Sequence, residues 1–421
     1  ADGEYILVAN EGEWNETART MGSASVITIG ASTNLGSISS LNQSAAVTVD
    51  FSAANLADGV SIEGLRVSDP SEGLPYGIEP EYVSYADGKV YCSLQEASAI
   101  GVLDIASGKW VDIIRMPYMF QTIDASNKDD GAIIDDSVVL GMPMPDTIDT
   151  FVHDGKTYIV TANEGDFNPE DTDKASVKDL GTEGLPALEA AYLANLNALY
   201  DGNALATSAL GNLNVSIIDG LNSAEEITQL HVPGTRSFSV IDAESGSVVW
   251  DSGNDFETIT ALIDIDGYAD KRSDDKGPEP EGLCVFEMAS ERYVALLMER
   301  TYAAFLYNIR DPLNPRFVDY FRADVGESEP ECVRFLSASQ SPSDRPMLVI
   351  GYEDSKTVCL VDIETWMGYP RNAAKPNVDT QGWMGRVYVD GNWAYIWGLN
   401  TWIYIEESYM GEVGGWAYMF R

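Results

Sequence analysis

Glu79-Pro80-Glu81, Glu279-Pro280-Glu281 and Glu329-Pro330-Glu331 are three copies of one acidic triplet, and Met144-Pro145-Asp146 is a degenerate fourth. Each copy precedes an apolar, strand-like run. Each run leads to a second strand that ends near another acid: Glu96, Glu164, Glu299 and Glu353. Behind the first triplet, Tyr82–Tyr85, the hairpin signal Asp87-Gly88, Val90–Leu94, Ala99–Ile105 and Trp110–Met116 read as four strands. Thr147–Val152, Asp154-Gly155 and Thr157–Ala162 repeat the opening pair, with Ser237–Ala243 as the displaced third strand. Gly282–Glu287, Tyr293–Met298, Ala303–Ile309 and Arg316–Phe321 make the next unit. Cys332–Leu336, Met347–Gly351 and Thr357–Ile363 make another. The N-terminus supplies an incomplete unit, in which Tyr5–Ala9 runs into Asn10-Glu11 and Ser23–Ile29 follows without an acidic opening strand.

Four-stranded antiparallel units in series predict an all-β fold, a β-propeller of five to seven blades, with the triplets opening the innermost strands. A β-solenoid is the competing architecture, but its repeats are shorter and more regular. The unit lacking its opening strand fits a propeller that closes with a strand from elsewhere in the chain.

Two insertions interrupt the repeat. Gln121–Asp136 reads as an acid-rich loop. The stretch from about 166 to 236 holds one helix, Leu185–Leu199, with Pro186 in its first turn, and an added hairpin of Asn214–Asp219 and Ile227–Val232. The domain reading is a propeller over 1–368, a linker over 369–378 and a Trp/Tyr/Gly-rich β-meander over 379–421. That tail carries Trp393, Trp402 and Trp416, each followed two residues later by Tyr, and Asp390-Gly391 as a turn. Its aromatic face either packs internally or contacts a partner.

Among 421 residues there are 25 basic and 67 acidic side chains, a formal charge of -42. Such a surface repels nucleic acid and anionic membranes. No apolar run is long enough to span a bilayer. The start Ala1-Asp2-Gly3 resembles the end left by a signal peptidase, which places the chain outside the cell, on its surface or in the periplasm. Cys92, Cys284, Cys332 and Cys359 lack zinc-ligand spacing and read as four buried small side chains, or as one disulfide with two free thiols.

Thr161-Ala162-Asn163-Glu164-Gly165-Asp166, Arg236–Val240, Val249–Gly253 and the string Arg272-Ser273-Asp274-Asp275-Lys276-Gly277-Pro278-Glu279-Pro280-Glu281-Gly282 are more specific than the fold. Together they resemble the bacterial choice-of-anchor I domain over roughly residues 4 to 363. The resemblance implies a secreted, propeller-like surface protein. That family also occurs beside metallophosphatase or nucleotidase domains and includes mesenchyme-specific cell-surface glycoproteins. Its name refers to interchangeable C-terminal anchors, and the Trp-rich tail occupies that position here. The resemblance implies no defined reaction.

Clustered carboxylates repel one another unless protonated or neutralised by a cation, and calcium accepts many oxygen ligands in irregular loops. The metal candidates are Glu81, Asp146, Glu164, Asp166, Glu281, Glu299, Glu331 and Glu353, with Glu11, Glu96 and Asp274/Asp275 in support. The alternative is that these acids pair within the protein with Arg236, Arg272, Lys276 or Arg300. Asp264-Ile265-Asp266-Gly267-Tyr268 places its glycine too early for an EF-hand and reads as a polar turn. No serine-hydrolase, zincin or P-loop motif occurs, and His153 and His231 read as exposed bystanders. Three roles are therefore open. The first is a calcium-binding surface protein with a binding, adhesion or structural role. The second is a calcium-dependent phosphoesterase in which Arg236, Arg272, Lys276 and Arg300 hold phosphate. The third is a self-assembling subunit. No organic cofactor is called for. Trp393, Trp402 and Trp416 would contact glycan, cell wall or another copy.

Overall fold

The computed structural model describes residues 5–12, 20–29, 46–69, 71, 73–129, 131–168, 171–322, 326–366, 369–370, 377–380, 384, 386–390, 393–405 and 417–420. The fold is all-β and of the β-propeller class. Among the described residues three sheets are complete four-stranded blades, each in simple up-and-down order. They are Pro80–Ala86, Lys89–Leu94, Ala99–Asp104 and Lys109–Arg115; Ile148–His153, Lys156–Asn163, Ser237–Asp242 and Ser247–Asp251; and Pro280–Met288, Glu291–Met298, Ala303–Asn308 and Arg316–Arg322. Two blades are three-stranded, Tyr5–Asn10, Ser23–Thr28 and Ala46–Asp50 at the N-terminus, and Pro330–Leu336, Met347–Tyr352 and Thr357–Asp362. The chain divides into two compact units, Ala1–Leu283 with Met298–Thr301, and Cys284–Leu297 with Tyr302–Arg421.

The backbone repeats as regularly as the sequence. Met144, Glu279 and Glu329, the first residues of three motif copies, are left-handed at φ 45°, 55° and 57°. Ser98, Arg236, Tyr302 and Lys356 (φ 48°, 53°, 55° and 55°) each stand immediately before the third strand of their blade. A side chain in this region is strained, and the cost is tolerated where surrounding packing fixes the turn. Both Asp-Gly turns place the two residues at positive φ (49° and 75° in each), as a type I′ hairpin turn needs.

The blade opened by Pro80–Ala86 buries both faces. Val90, Cys92, Leu94, Leu103 and Trp110 pack with Ala24, Val26, Val49 and Phe51 of the N-terminal blade. Tyr91, Ile100, Val102 and Ile114 pack with Ile148, Ile159 and Ile241 of the following blade. Period-two alternation therefore sends consecutive residues into two different cores, which is why these strands read as continuous apolar runs. Trp110 stacks on Phe51 with centroids 4.4 Å apart, and its indole N–H donates to the Asp50 carbonyl at 3.0 Å.

A polar lock also repeats. Asn163 ends the second strand of its blade and donates to Ser237 Oγ (3.2 Å) and Ser239 Oγ (2.8 Å), while both serines donate to Asp251. Asn10 does the same to Ser23 Oγ (3.2 Å) and Ser25 Oγ (3.0 Å), with Thr48 beside Ser25. Asn10-Glu11 thus matches Asn163-Glu164, so Tyr5–Asn10 corresponds to a second strand.

Several expectations change. Gln121–Asp136 is not a loop throughout, because Met119–Asp124 and Ile134–Met142 pair as strands and bury Ile123 and Val139. Asn214–Asp219 and Ile227–Val232 do not form a hairpin. Asn214–Ser216 pairs with Lys174–Ser176, and His231–Pro233 adds in parallel to Leu140–Met142. The helix spans Ala190–Leu199, so Pro186 precedes it, and Leu188 makes a bridge to Ile227 instead of a helical turn. A second helix, Asp255–Ile263, places Asp255 and Glu257 in its first turn, where the helix dipole favours acids. His231 is buried, and its ring faces Tyr118 edge-on. Cys332 is exposed, Cys359 is half-buried, and none of the four is in a disulfide.

The C-terminal strands Asn377–Asp379, Arg386–Asp390, Trp393–Ile396, Thr401–Ile405 and Ala417–Phe420 form a five-stranded meander. Two short strands, Thr365–Trp366 and Tyr369–Pro370, lie within or beside the expected linker. Trp416 and Gly391 fall outside the described residues.

Asn163→Ala leaves the Ser237 and Ser239 hydroxyls without their buried amide donor and should cost about 2 kcal/mol. Asn10→Ala should cost less, because Asn10 is only half-buried. Urea denaturation of both variants checks the lock, and equal losses would contradict it.

Candidate functional site

The acids at the motif ends converge because strand pairing brings the end of each second strand beside the start of the first. The Glu299 N–H donates to the Glu279 carbonyl at 2.9 Å, and the Glu353 N–H donates to the Glu329 carbonyl at 2.8 Å. In the third blade the Asp146 N–H donates to the Ala162 carbonyl at 2.9 Å, next to Glu164. Within the first compact unit two carboxylate groups result. Asp146, Glu164 and Glu281 bring one oxygen each within 4.8 Å of one another, and Glu164, Glu279 and Glu299 do likewise. Glu164 belongs to both.

The second group has its own cations. Lys276 Nζ lies 2.5 Å from Glu164 Oε1, 3.4 Å from Asp166 and 3.4 Å from Glu279. Arg272 donates through Nε (2.9 Å) and Nη2 (2.7 Å) to Glu279 Oε1, and also pairs with Asp275 at 2.8 Å. Arg300 pairs with Glu279 at 3.1 Å and with Glu299 at 2.9 Å. Burial alone would raise the Glu279 carboxyl, but Lys276, Arg272 and Arg300 together hold it below its ordinary value. Glu279 in turn, with Glu164 and Asp166, keeps the buried Lys276 charged. Gln95 Nε2 donates to Glu164 Oε2 at 2.9 Å.

The remaining acids are under-compensated. Burial, then Glu11 and Glu79, push Glu81 up to about 8. Burial and Glu279 push Glu299 up to about 8, with Arg300 opposing. Burial pushes Glu164 up to about 7, with Lys276 opposing and Asp166 and Glu279 adding to it. Glu96 is raised well above the usual range by burial, Glu79 and Glu81. Its Oε2 is buried with no hydrogen-bond partner among the described residues.

Of the metal candidates, the structure therefore brings together Asp146, Glu164, Glu281 and Glu299, with Asp166 alongside through Lys276 and Glu81 coupled to Glu164 by charge. Glu331, on Pro330–Leu336, and Glu353 lie in the second unit. The Arg236 guanidinium is buried against Glu257 (2.7 Å) and the carbonyls of Asp124, Ser273 and Asp275 (2.8, 2.8 and 2.9 Å). Arg272, Lys276 and Arg300 are in the ion pairs above. The Asp274 carbonyl takes the Asn214 N–H at 2.8 Å. His153 lies 3.6 Å from Asp154, half-exposed and remote from these contacts.

Sequence reading missed Glu279 as the hub, although it is a motif residue; its left-handed backbone is not legible in the triplet itself. It also missed a third acidic group, Asp124, Asp129 and Asp270. Asp124 there accepts from Tyr268 and Ser273, both at 3.0 Å.

Comparison with known proteins bears on this arrangement. The family model described as choice-of-anchor I domain matches residues 1–312, a span containing both carboxylate groups and all three cations. The chain belongs to the choice-of-anchor I family. The match ends before the blade of Pro330–Leu336, whereas the sequence resemblance extended to about residue 363. This choice-of-anchor I chain is also 25% identical over 183 residues to Gigasin-3a of Magallana gigas, covering 37% of this chain and 64% of that protein. It therefore spans slightly less than two thirds of that relative. Among solved structures it is similar to hydrazine synthase of Kuenenia stuttgartiensis (12% identity, TM-score 0.38, covering 86% of this chain and 69% of that one). It is also similar to the periplasmic gluconolactonase of Pseudomonas aeruginosa (10% identity, TM-score 0.34, covering 100% and 82%).

The raised carboxyls fix a pH dependence. Their ordinary value is 4.5, and in the folded choice-of-anchor I chain Glu164 moves to about 7 and Glu81 and Glu299 to about 8. Between those limits the folded state holds protons that the unfolded state has released, so stability falls as pH rises through the window. The lowered Glu279 acts oppositely, and its contribution is lost only in acid. In metal-free buffer the melting temperature should fall from about pH 5 to about pH 8, with a shallower fall in Glu81→Gln. A flat profile in the parent chain would contradict this assignment.

Proposed function

We propose that this surface-associated choice-of-anchor I propeller has a binding or structural role and takes a divalent cation, calcium, at Asp146, Glu164 and Glu281. The observation that carries the reading is the convergence of three carboxylate oxygens within 4.8 Å. The donors are all hard oxygens, with no histidine or thiol in the group, which suits calcium better than zinc or copper. A bound cation would supply the charge that Glu81, Glu96 and Glu164 lack and would replace the protons they retain. Lys276 already serves the Glu164–Glu279–Glu299 group, so the calcium reading rests on the other one. The phosphoesterase reading is weaker, because Arg236 is committed to Glu257 and the other three cations are engaged by carboxylates.

Isothermal titration with calcium on the metal-free chain checks the reading. Glu164→Gln and Asp146→Asn should each weaken binding by roughly tenfold or more, about 1.4 kcal/mol. Lys276→Met removes a competing ammonium and should tighten it. No heat in the parent chain, with no rise in melting temperature, would refute the proposal.

A second reading concerns the C-terminal meander. Val387, Val389, Ala394, Ile396, Ile403 and Ile405 fill one face. The other carries Trp393 against Tyr404 (centroids 5.2 Å) and Tyr395 against Trp402 (5.3 Å), cross-strand partners in both cases. Trp393, Trp397 and Trp402 remain 40%, 59% and 39% exposed. Flat exposed rings suit the apolar faces of sugars, so a cell-surface glycan is the proposed partner of this face. The double variant Trp393→Ala/Trp402→Ala should abolish retention on cell-wall polysaccharide and leave calcium binding unchanged. Equal retention would remove the glycan reading.

A further inference from the structure

A small cavity lies against the segment Ser273–Pro278, which carries Lys276. It measures about 10 Å³, as the space open to the centre of a water-sized sphere, and its walls include Phe256, Tyr268, Gly277 and Pro278. Thr260 and Ser273 also line it, but Thr260 Oγ1 donates to the Phe256 carbonyl at 2.7 Å, and Ser273 and Tyr268 donate to Asp124 at 3.0 Å each. The other polar lining side chains are Glu257 from the helix Asp255–Ile263 and Thr301 from the turn after Arg300. Glu257 is 2% exposed and Thr301 3%. Glu257 Oε2 and Thr301 Oγ1 are both buried and have no hydrogen-bond partner among the described residues.

An orphaned buried polar atom is costly, so two lining one small space call for a shared partner. The nature of that partner follows from size and charge. The space suits one water-sized molecule. Glu257 is already paired through Oε1 with Arg236 Nη1 at 2.7 Å, so the guest need carry no charge. Glu257 Oε2 only accepts, whereas the threonine hydroxyl donates or accepts. The guest must therefore donate at one end and bond a hydroxyl at the other.

We propose that this cavity is a binding site for a single structural water that bridges Glu257 Oε2 and Thr301 Oγ1. Its walls give the water a function. Gly277 and Pro278 connect Lys276 to Glu279, and Thr301 follows Arg300. The water thus ties the helix Asp255–Ile263 to both segments that present cations to Glu279. The inference stands independently of calcium.

A high-resolution crystal structure of the parent chain tests it. One peak should appear within about 2.6–3.2 Å of both oxygens. It should be lost in Thr301→Val, which keeps the shape and removes the hydroxyl, and retained in Thr301→Ser. The melting temperature should drop more in Thr301→Val than in Thr301→Ser. An empty cavity in the parent chain, or a peak that persists in Thr301→Val, would overturn the proposal. So would anomalous signal at that peak after a thallium(I) soak, because the guest would then be a cation.

Discussion

Glu279 is a fully buried carboxylate with three cations on it, and the acidic site is arranged around that charge. Its Oε1 receives two bonds from Arg272, and its Oε2 faces Arg300 and Lys276. An unpaired buried charge would be prohibitive, and removing one partner of such a pair is far costlier than the pair is stabilising. Three further acids come with this arrangement. Lys276 reaches Glu164 and Asp166, and Arg300 reaches Glu299. Glu279 is thus less a ligand than a counter-charge that fixes the cationic arm from Arg272 to Lys276.

The arm neutralises only part of the acidity. Asp146 and Glu281 share Glu164 with it, while Glu81 and Glu96 sit in a region where burial and like charge both favour the proton. The same residues relieve their repulsion by holding protons, and the proposed cation, if bound, would compete with those protons. Its occupancy would then depend on pH without any moving part.

Much of the fold was legible because its signals are local. Asp87-Gly88 and Asp154-Gly155 need positive φ at both residues, and the structure has it at both. Lys89–Leu94 read as a strand because both of its faces are buried. Pairing partners were less legible. Asn214–Ser216 and His231–Pro233 look like a hairpin in sequence, yet their partners Lys174–Ser176 and Leu140–Met142 are remote, and an apolar run does not say what it pairs with. Leu185 and Leu188 continue the helical spacing but sit before the helix, because Leu188 bonds to Ile227 instead. In the site, the triplets pointed to Glu81, Asp146, Glu281 and Glu331, of which Asp146 and Glu281 lie together with Glu164. Composition could not show which acids the scarce cations would choose. The choice of Glu279 depends on Lys276 and Arg272 lying on the same short turn.

The two-sided burial of the blade opened by Pro80–Ala86 affects how this part of the chain comes apart. Tyr91 and Cys92 are adjacent in sequence but belong to different cores. Loosening Lys89–Leu94 would open both cores at once, so that blade has no inexpensive partial opening. The N-terminal blade, the blade of Pro80–Ala86 and the blade of Ile148–His153 are thereby joined into one cooperative block. Proteases meeting the native chain would find their first cuts in the insertions and loops rather than in any single blade.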